Sequence, residues 1–251
     1  EKVLQDKGLA VLVAPPGAGK TTLVPIRLLN ASWRGHGMII LLEPRRLAAR
    51  AAARRMAFML GEEVGHTVGY RMRLDQKISA KTRILVVTEG VFARMALDDP
   101  ELTGVNAVLF DEFHERSLDA DLGLALALDI RAGFRPDLRL LVMSATLDGA
   151  RVSKILGDAP VIEAQGRAFP IDISHLDRKP DERLDEVMAR AVMKTLGEEA
   201  GSILAFLPGT GEINGVARRL EGRLPPDVRL YLLHGTMEPA AQDEAIRPAP
   251  V

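Results

Sequence analysis

The chain has 251 residues, of which 47% are hydrophobic, enough to bury a large core and to form one large domain with part of a second. It contains no cysteine and no apolar run near 18 residues, which excludes disulfides and thiolate metal sites, predicts no membrane span and is compatible with a reducing, cytoplasmic location. The net charge of −1 excludes a polycation, but residues 1–60 carry ten Lys and Arg against three Asp and Glu, so any attraction for phosphates must be local.

Strands and helices alternate over the first 143 residues. Short apolar runs predict buried strands at 9–13, 38–42, 84–88, 105–110 and 138–143. The stretches between them predict helices at 20–30, 45–60, 90–97 and 117–131. This alternation favours an α/β fold, with a parallel sheet covered by helices on both faces.

A proline-containing segment follows this first domain. We expect the first domain at 1–165, a linker with an edge strand at 166–181, and the incomplete start of a second α/β lobe at 182–251. Extended stretches are expected at 161–163 and 169–176. In the second lobe the pattern predicts helices at 182–197 and 211–222 and strands at 202–207 and 228–233.

A glycine-bearing loop lies between the first predicted strand and the first predicted helix. Residues 14–22 read Ala-Pro-Pro-Gly-Ala-Gly-Lys-Thr-Thr, which differs from the phosphate-binding pattern Gly-x-x-x-x-Gly-Lys-Ser/Thr only in Ala14 at the first glycine position. The glycines let backbone N–H groups turn toward a phosphate, the lysine adds a cation, and the next threonine offers a hydroxyl to Mg²⁺. The predicted contacts of a nucleoside triphosphate are Pro16, Gly17, Ala18, Gly19, Lys20, Thr21 and Thr22.

Two carboxylates come directly after the fourth predicted strand. In doubly wound sheets the ligand lies at the carboxyl ends of the strands, so Asp111 is placed to hold Mg²⁺ through water. Glu112 is placed to orient or deprotonate the water that attacks the γ-phosphate. The alternative is a capping pair at the start of the next helix. Together with the loop, the pair predicts a metal-dependent nucleoside triphosphatase.

Most of the chain resembles the DEAH-box helicases of superfamily 2. The segment from Asp111 to Ser117 resembles their Asp-Glu-Ala-His-Glu-Arg signature, with Phe113 in place of alanine. Other stretches that resemble motifs of this family are Glu43-Pro44-Arg45-Arg46, residues 68–73, Thr88-Glu89-Gly90, Ser144-Ala145-Thr146 and residues 166–170.

The resemblance implies two RecA-like lobes that use ATP and Mg²⁺. It implies that Lys20, Glu112 and His114 act in catalysis, and that His114 communicates with Ser144 and Thr146 to couple hydrolysis to lobe closure. Arg55 matches a position that stacks on the nucleotide base, whereas the aromatic partner of the second lobe falls at Ile246, which cannot stack in the same way.

The expected nucleic-acid partner is single-stranded RNA, held by its backbone. Arg45 and Arg46 begin a predicted helix, where paired arginines and free N–H groups can hold phosphates. Arg50 and Arg54 are expected on a solvated helix face. Aromatic residues make up only 4% of the chain, which favours backbone contacts with little sequence preference. The candidate contacts are Arg45, Arg46, Arg73, Thr88, Gly209, Thr210 and His234.

Two other functions remain open from the residues alone. One is a nucleotide-dependent switch or clamp acting on a partner protein, and the other is a DNA translocase, because recognition of a 2′-hydroxyl has no readable motif. The family takes an arginine finger from a late second-lobe motif, and nothing after His234 resembles it. The resemblance therefore implies that this chain as given binds nucleotide but hydrolyses it slowly.

Overall fold

The computed structural model describes residues 1–145, 149–165 and 170–247. The chain divides into two compact units, residues 1–169 and residues 170–251. No helix in the described part of the chain is long and apolar enough to cross a membrane.

The first unit is built on one eight-stranded sheet in the order β4-β3-β5-β2-β6-β7-β1-β8. Neighbouring strands are parallel, and only the pair β3–β4 is antiparallel. The strands are β1 Leu9–Val13, β2 Met38–Leu42, β3 Val68–Met72, β4 Asp75–Lys77, β5 Ile84–Val87, β6 Val105–Phe110, β7 Arg139–Ser144 and β8 Val161–Glu163. The helices are α1 Lys2–Lys7, α2 Lys20–Leu28, α3 Arg46–Met59, α4 Glu89–Asp98, α5 Leu118–Gly133 and α6 Gly149–Ile155.

The central strands are apolar on both faces because helices cover both sides of the sheet. In β2, Ile40 and Leu42 pack into a core with α4 and α5, whereas Ile39 and Leu41 pack into a second core with α2 and α3. This alternation follows from the two-residue period of a strand. The helices α2 and α3 therefore lie on the same face of the sheet.

The α/β fold predicted for the first unit is confirmed. The predicted strands at 9–13, 38–42 and 105–110 have the observed bounds, and the strands at 84–88 and 138–143 differ by one residue at their ends. The hairpin β3–β4 was not expected as strands, because only β3 carries a short apolar pattern and β4 is polar. The extended stretch expected at 161–163 is confirmed as β8, one of the two edge strands of the sheet. It lies before the predicted linker, and residues 170–181 form no strand.

The second unit contains three helices in its described residues: α7 Leu184–Glu198, α8 Thr210–Leu220 and α9 Pro239–Ala245. Its small core joins Ala189 of α7 to Val216 and Leu220 of α8. The strands predicted at 202–207 and 228–233 are wrong for the described residues, which contain no strand between 170 and 247. A strand needs a hydrogen-bonded neighbour, and here apolar side chains such as Phe206 stay 80% exposed.

Candidate nucleotide-binding site

The loop between β1 and α2 has the backbone that its glycines predict. Gly17 and Gly19 have φ of 77° and 81°, in the left-handed region that favours glycine. The residue at the first glycine position of the motif, Ala14, is buried and is not among the residues with positive φ. Its N–H donates to the carbonyl of Ser144 at 3.0 Å. Ala14 is therefore tolerated here, because its position does not require the positive φ that favours glycine.

Lys20, the first residue of α2, is the buried cation of the site. Its side chain is 4% exposed, and Nζ lies 2.9 Å from Oε1 of Glu112. This pair joins the loop after β1 to the turn after β6, across the intervening strand β7. A buried ammonium group needs a counter-charge, and Glu112 supplies it here. A triphosphate entering the loop would offer the same cation a second anionic partner.

Asp111 lies at the carboxyl end of β6 and is 3% exposed. Burial raises the pKa of its carboxyl group, and the Thr21 hydroxyl and the Glu112 N–H partly oppose that shift. Oδ1 accepts the Glu112 N–H at 2.9 Å, whereas Oδ2 has no hydrogen-bond partner among the described residues. An unsatisfied buried carboxylate oxygen beside a threonine hydroxyl fits Mg²⁺, which binds through few carboxylates plus phosphates and water. The described residues contain no cluster of three His, Cys, Asp or Glu that could form a closed metal site.

Glu112 occupies a strained backbone position. Its φ and ψ are 47° and 34°, a left-handed conformation that a non-glycine residue rarely adopts, and it precedes the short 3-10 helix Phe113–Glu115. The strained turn directs the carboxylate of Glu112 toward both Lys20 and His114. Strain of this kind is typical of functional sites, where the surrounding structure holds one residue in place.

His114 contacts both the turn after β6 and the segment after β7. Its Nδ1 lies 3.3 Å from Oε2 of Glu112 and accepts the Ala145 N–H at 3.3 Å. One ring nitrogen cannot accept that N–H and donate to the carboxylate at the same time, so Nδ1 must lack a hydrogen in the first contact and carry one in the second. Ser144 is buried at the end of β7, and Thr146 lies outside the described residues.

Glu43 is a third carboxyl group in this region, and the sequence did not identify it as a site residue. It directly follows β2 and is 4% exposed. Because β2 and β6 are parallel, Glu43 and Asp111 lie at the same end of the sheet, after the last residues of their strands. Burial, and then the charges of Asp111 and Glu112, raise the pKa of Glu43 to about 8. The available signal was its place immediately after a buried parallel strand.

The candidate nucleic-acid residues of the first unit lie at several element ends. Arg45 and Arg46 are exposed at the start of α3, Arg73 is exposed in the turn between β3 and β4, and half-buried Thr88 is the N-cap of α4. Arg50 was expected on a solvated helix face, but this expectation is wrong, because Arg50 is buried. Its Nη1 lies 3.5 Å from Oδ2 of Asp75 in the β3–β4 hairpin. The hairpin covers this part of α3, which the helical pattern alone could not show.

Arg55 lies on the exposed face of α3. Its guanidinium carbon is 5.7 Å from the centroid of the Phe58 ring, one helical turn further on. Phe58 is 73% exposed. A flat guanidinium held over an aromatic ring presents its other face to a planar ligand.

The candidate residues of the second unit belong to two of its segments. Gly209 is the N-cap of α8, and Thr210 is the exposed first residue of that helix. Half-buried His234 pairs its Nδ1 with the Thr236 hydroxyl at 2.9 Å. Its N–H donates to the sulfur of Met237 at 3.3 Å. The ring of His234 is thus held by a local turn.

RecA-like P-loop nucleoside triphosphatases have a glycine-bearing loop whose lysine meets the acidic turn after a strand two positions away in the sheet, and the first unit has this fold. Within that class the chain belongs to the DEAD/DEAH box helicase family, whose sequence profile matches residues 1–155.

Two helicases are similar to this chain in sequence. The ATP-dependent RNA helicase HrpB of Escherichia coli K12 is 51% identical over 240 residues, which cover 96% of this chain and 30% of that protein. The probable ATP-dependent RNA helicase DHR2 of Saccharomyces cerevisiae is 34% identical over 220 residues, which cover 87% of this chain and 30% of that protein. The chain thus spans less than a third of the length of these relatives.

Two crystal structures of HrpB from Escherichia coli resemble the fold. The structure described as a DEAH/RHA helicase has a TM-score of 0.88 at 50% identity and covers 99% of this chain and 32% of the other. The structure described as a DExH-box NTPase has a TM-score of 0.75 at 50% identity and covers 99% of this chain and 31% of the other.

Proposed function

We propose that this chain is the ATP-binding part of an ATP-dependent RNA helicase of the DEAH type. The observation that supports this most directly is the ion pair between buried Lys20 and half-buried Glu112, with buried Asp111 beside it. Phosphoryl transfer depends mainly on positioned charges. In the proposed site Lys20 would be the phosphate-binding cation, Asp111 the metal-binding carboxylate and Glu112 the base. The names of the two similar helicases support RNA as the substrate.

In the proposed reaction Lys20 moves from Glu112 to the outer phosphates of ATP. Glu112 is then free to orient the attacking water and accept its proton. Thr21 and Asp111 would hold Mg²⁺, which neutralises charge on the phosphate oxygens. His114 would report the state of the turn to the segment that contains Ser144 and Thr146, through its contact with the Ala145 N–H. Arg55 would stack on the adenine base.

Single-stranded RNA would be bound by its phosphates, in a cytoplasmic setting. The positive charge of residues 1–60 and the low aromatic content both favour backbone contacts. We propose the same contacts as the sequence suggested: Arg45, Arg46, Arg73 and Thr88 in the first unit, and Gly209, Thr210 and His234 in the second.

The test is the rate of ATP hydrolysis without nucleic acid, with single-stranded RNA and with single-stranded DNA of the same sequence. The variant Lys20→Ala corrects for contaminating hydrolysis. Because this chain is expected to hydrolyse ATP slowly, the expected result is a low rate that RNA raises and DNA does not. A rate indifferent to both strands would favour a nucleotide-dependent switch on a partner protein, and equal stimulation by DNA would favour a DNA translocase.

A further inference from the structure

The guanidinium group of Arg45 is already bound by a carboxylate of the same chain. Its Nη2 pairs with Oε1 of Glu115, and its Nε donates to Oε2 at 3.4 Å. Two N–H donors facing two carboxylate oxygens are the geometry that arginine also uses to bind a phosphate. The Arg45 side chain is 68% exposed and that of Glu115 33%, so the pair lies where a large ligand can reach it.

The two members of this pair belong to different parts of the proposed machinery. Arg45 is the N-cap residue of α3 and a proposed phosphate contact. Glu115 is the last residue of the 3-10 helix after β6, and its N–H donates to the Glu112 carbonyl at 2.9 Å. The ion pair therefore connects the proposed nucleic-acid surface to the turn that carries the candidate base.

We propose that Glu115 competes with a nucleic-acid phosphate for Arg45, so that nucleic-acid binding releases Glu115 and the turn that holds Glu112. This inference rests on the proposed function, because it takes Arg45 as a phosphate contact. The Glu115 carboxylate occupies the Nε and Nη2 edge of Arg45, so a phosphate that approaches this edge must displace the carboxylate or lie next to it. Two anions in contact with the same guanidinium group repel each other, which favours displacement. The displaced carboxylate belongs to a turn whose first residue, Glu112, is strained. Such strain persists only while surrounding contacts hold it, and the pair with Arg45 is one contact that holds this turn.

The competition sets the size of the expected effect. An exposed ion pair contributes little to stability, and its loss corresponds to an affinity change of about 1.5- to 5-fold. Removing the Glu115 charge should therefore tighten RNA binding by about that factor. The gain should require Arg45, since Arg45 is the group that the carboxylate withholds.

The experiment measures binding of a fluorescein-labelled single-stranded oligouridine by fluorescence anisotropy at fixed salt. The proteins are wild type, Glu115→Gln, Glu115→Ala, Arg45→Ala and the double variant Arg45→Ala with Glu115→Gln. Glu101→Gln is the matched control, because it removes the same charge from an exposed side chain before the amino end of β6, whereas Glu115 follows the carboxyl end of that strand. Thermal unfolding of each variant confirms that it is folded.

We expect both Glu115 variants to bind RNA more tightly, Glu101→Gln to match the wild type, and Glu115→Gln to have no effect in the Arg45→Ala background. Wild-type affinity in both Glu115 variants would overturn the inference alone. An equal gain in the Arg45→Ala background would also overturn it, because the effect would then be general charge repulsion. Absence of RNA binding by every protein would overturn the inference together with the proposed function.

Discussion

Replacing Glu43 by glutamine should change how the stability of the first unit depends on pH. The pKa of Glu43 is raised from 4.5 to about 8, so the folded protein keeps its proton where the unfolded chain loses it. Between these two pKa values the folded state binds more protons than the unfolded state, and stability must fall as the pH rises. Each pH unit in this window costs at most ~1.4 kcal/mol, so the whole window costs on the order of 5 kcal/mol.

The glutamine side chain of the Glu43→Gln variant is neutral at every pH and has nearly the same volume as glutamate. Glu43→Gln and the wild type should therefore be equally stable below about pH 4.5. As the pH rises to about 8 the variant should become the more stable of the two by a few kcal/mol, and above about pH 8 the difference should stay constant.

The measurement is urea unfolding at several pH values between about 4 and 9, a range that brackets both pKa values, with EDTA present to keep metal ions from the neighbouring carboxylates. Glu101→Gln controls for the loss of one exposed charge, because Glu101 is solvated. The same pH dependence in wild type and Glu43→Gln would refute the reasoning, since Glu43 would then ionise as easily in the folded protein as in the unfolded chain.

Three further predictions concern the site. Glu112→Gln should still bind ATP with Mg²⁺ but hydrolyse it roughly 10²–10⁴-fold more slowly in single-turnover assays, because the shape remains and the base is lost; a loss below about tenfold would remove Glu112 from that role. Asp111→Asn should abolish the increase in ATP affinity that Mg²⁺ gives the wild type, and an unchanged Mg²⁺ dependence would place the ion elsewhere. Arg45→Ala with Arg46→Ala should weaken RNA binding about equally for two unrelated single strands and reduce the salt slope by about 0.7 for each lost contact; an unchanged slope would place both residues outside the RNA path.

Much of the first unit could be predicted from the sequence because its signals are local. Buried parallel strands such as β2 and β6 are continuous apolar runs, and their ends mark where ligands bind. The backbone of the glycine-bearing loop could be predicted because few backbone conformations favour glycine. Gly17 and Gly19 have the positive φ that does. Asp111 and Glu112 could be placed because they directly follow β6.

The features that were missed depend on contacts between distant residues. Arg50 is buried because the β3–β4 hairpin brings Asp75 to it, and Arg45 pairs with a residue 70 positions away. The raised pKa of Glu43 comes first from burial by the folded chain and then from the charges of Asp111 and Glu112, which follow another strand. The strands predicted at 202–207 and 228–233 are wrong because a strand also depends on a distant residue pairing. The apolar runs are present, but a strand needs a hydrogen-bonded neighbour.

The central claim is that Lys20 holds the phosphates of ATP, and a titration with a fluorescent ATP analogue in the presence of Mg²⁺ tests it most directly. Lys154→Ala is the matched control, because Lys154 is an exposed lysine on α6. We predict that the wild type and Lys154→Ala bind alike and that Lys20→Ala binds at least about tenfold more weakly, the loss expected for a charged hydrogen bond. Wild-type affinity in Lys20→Ala would contradict the account.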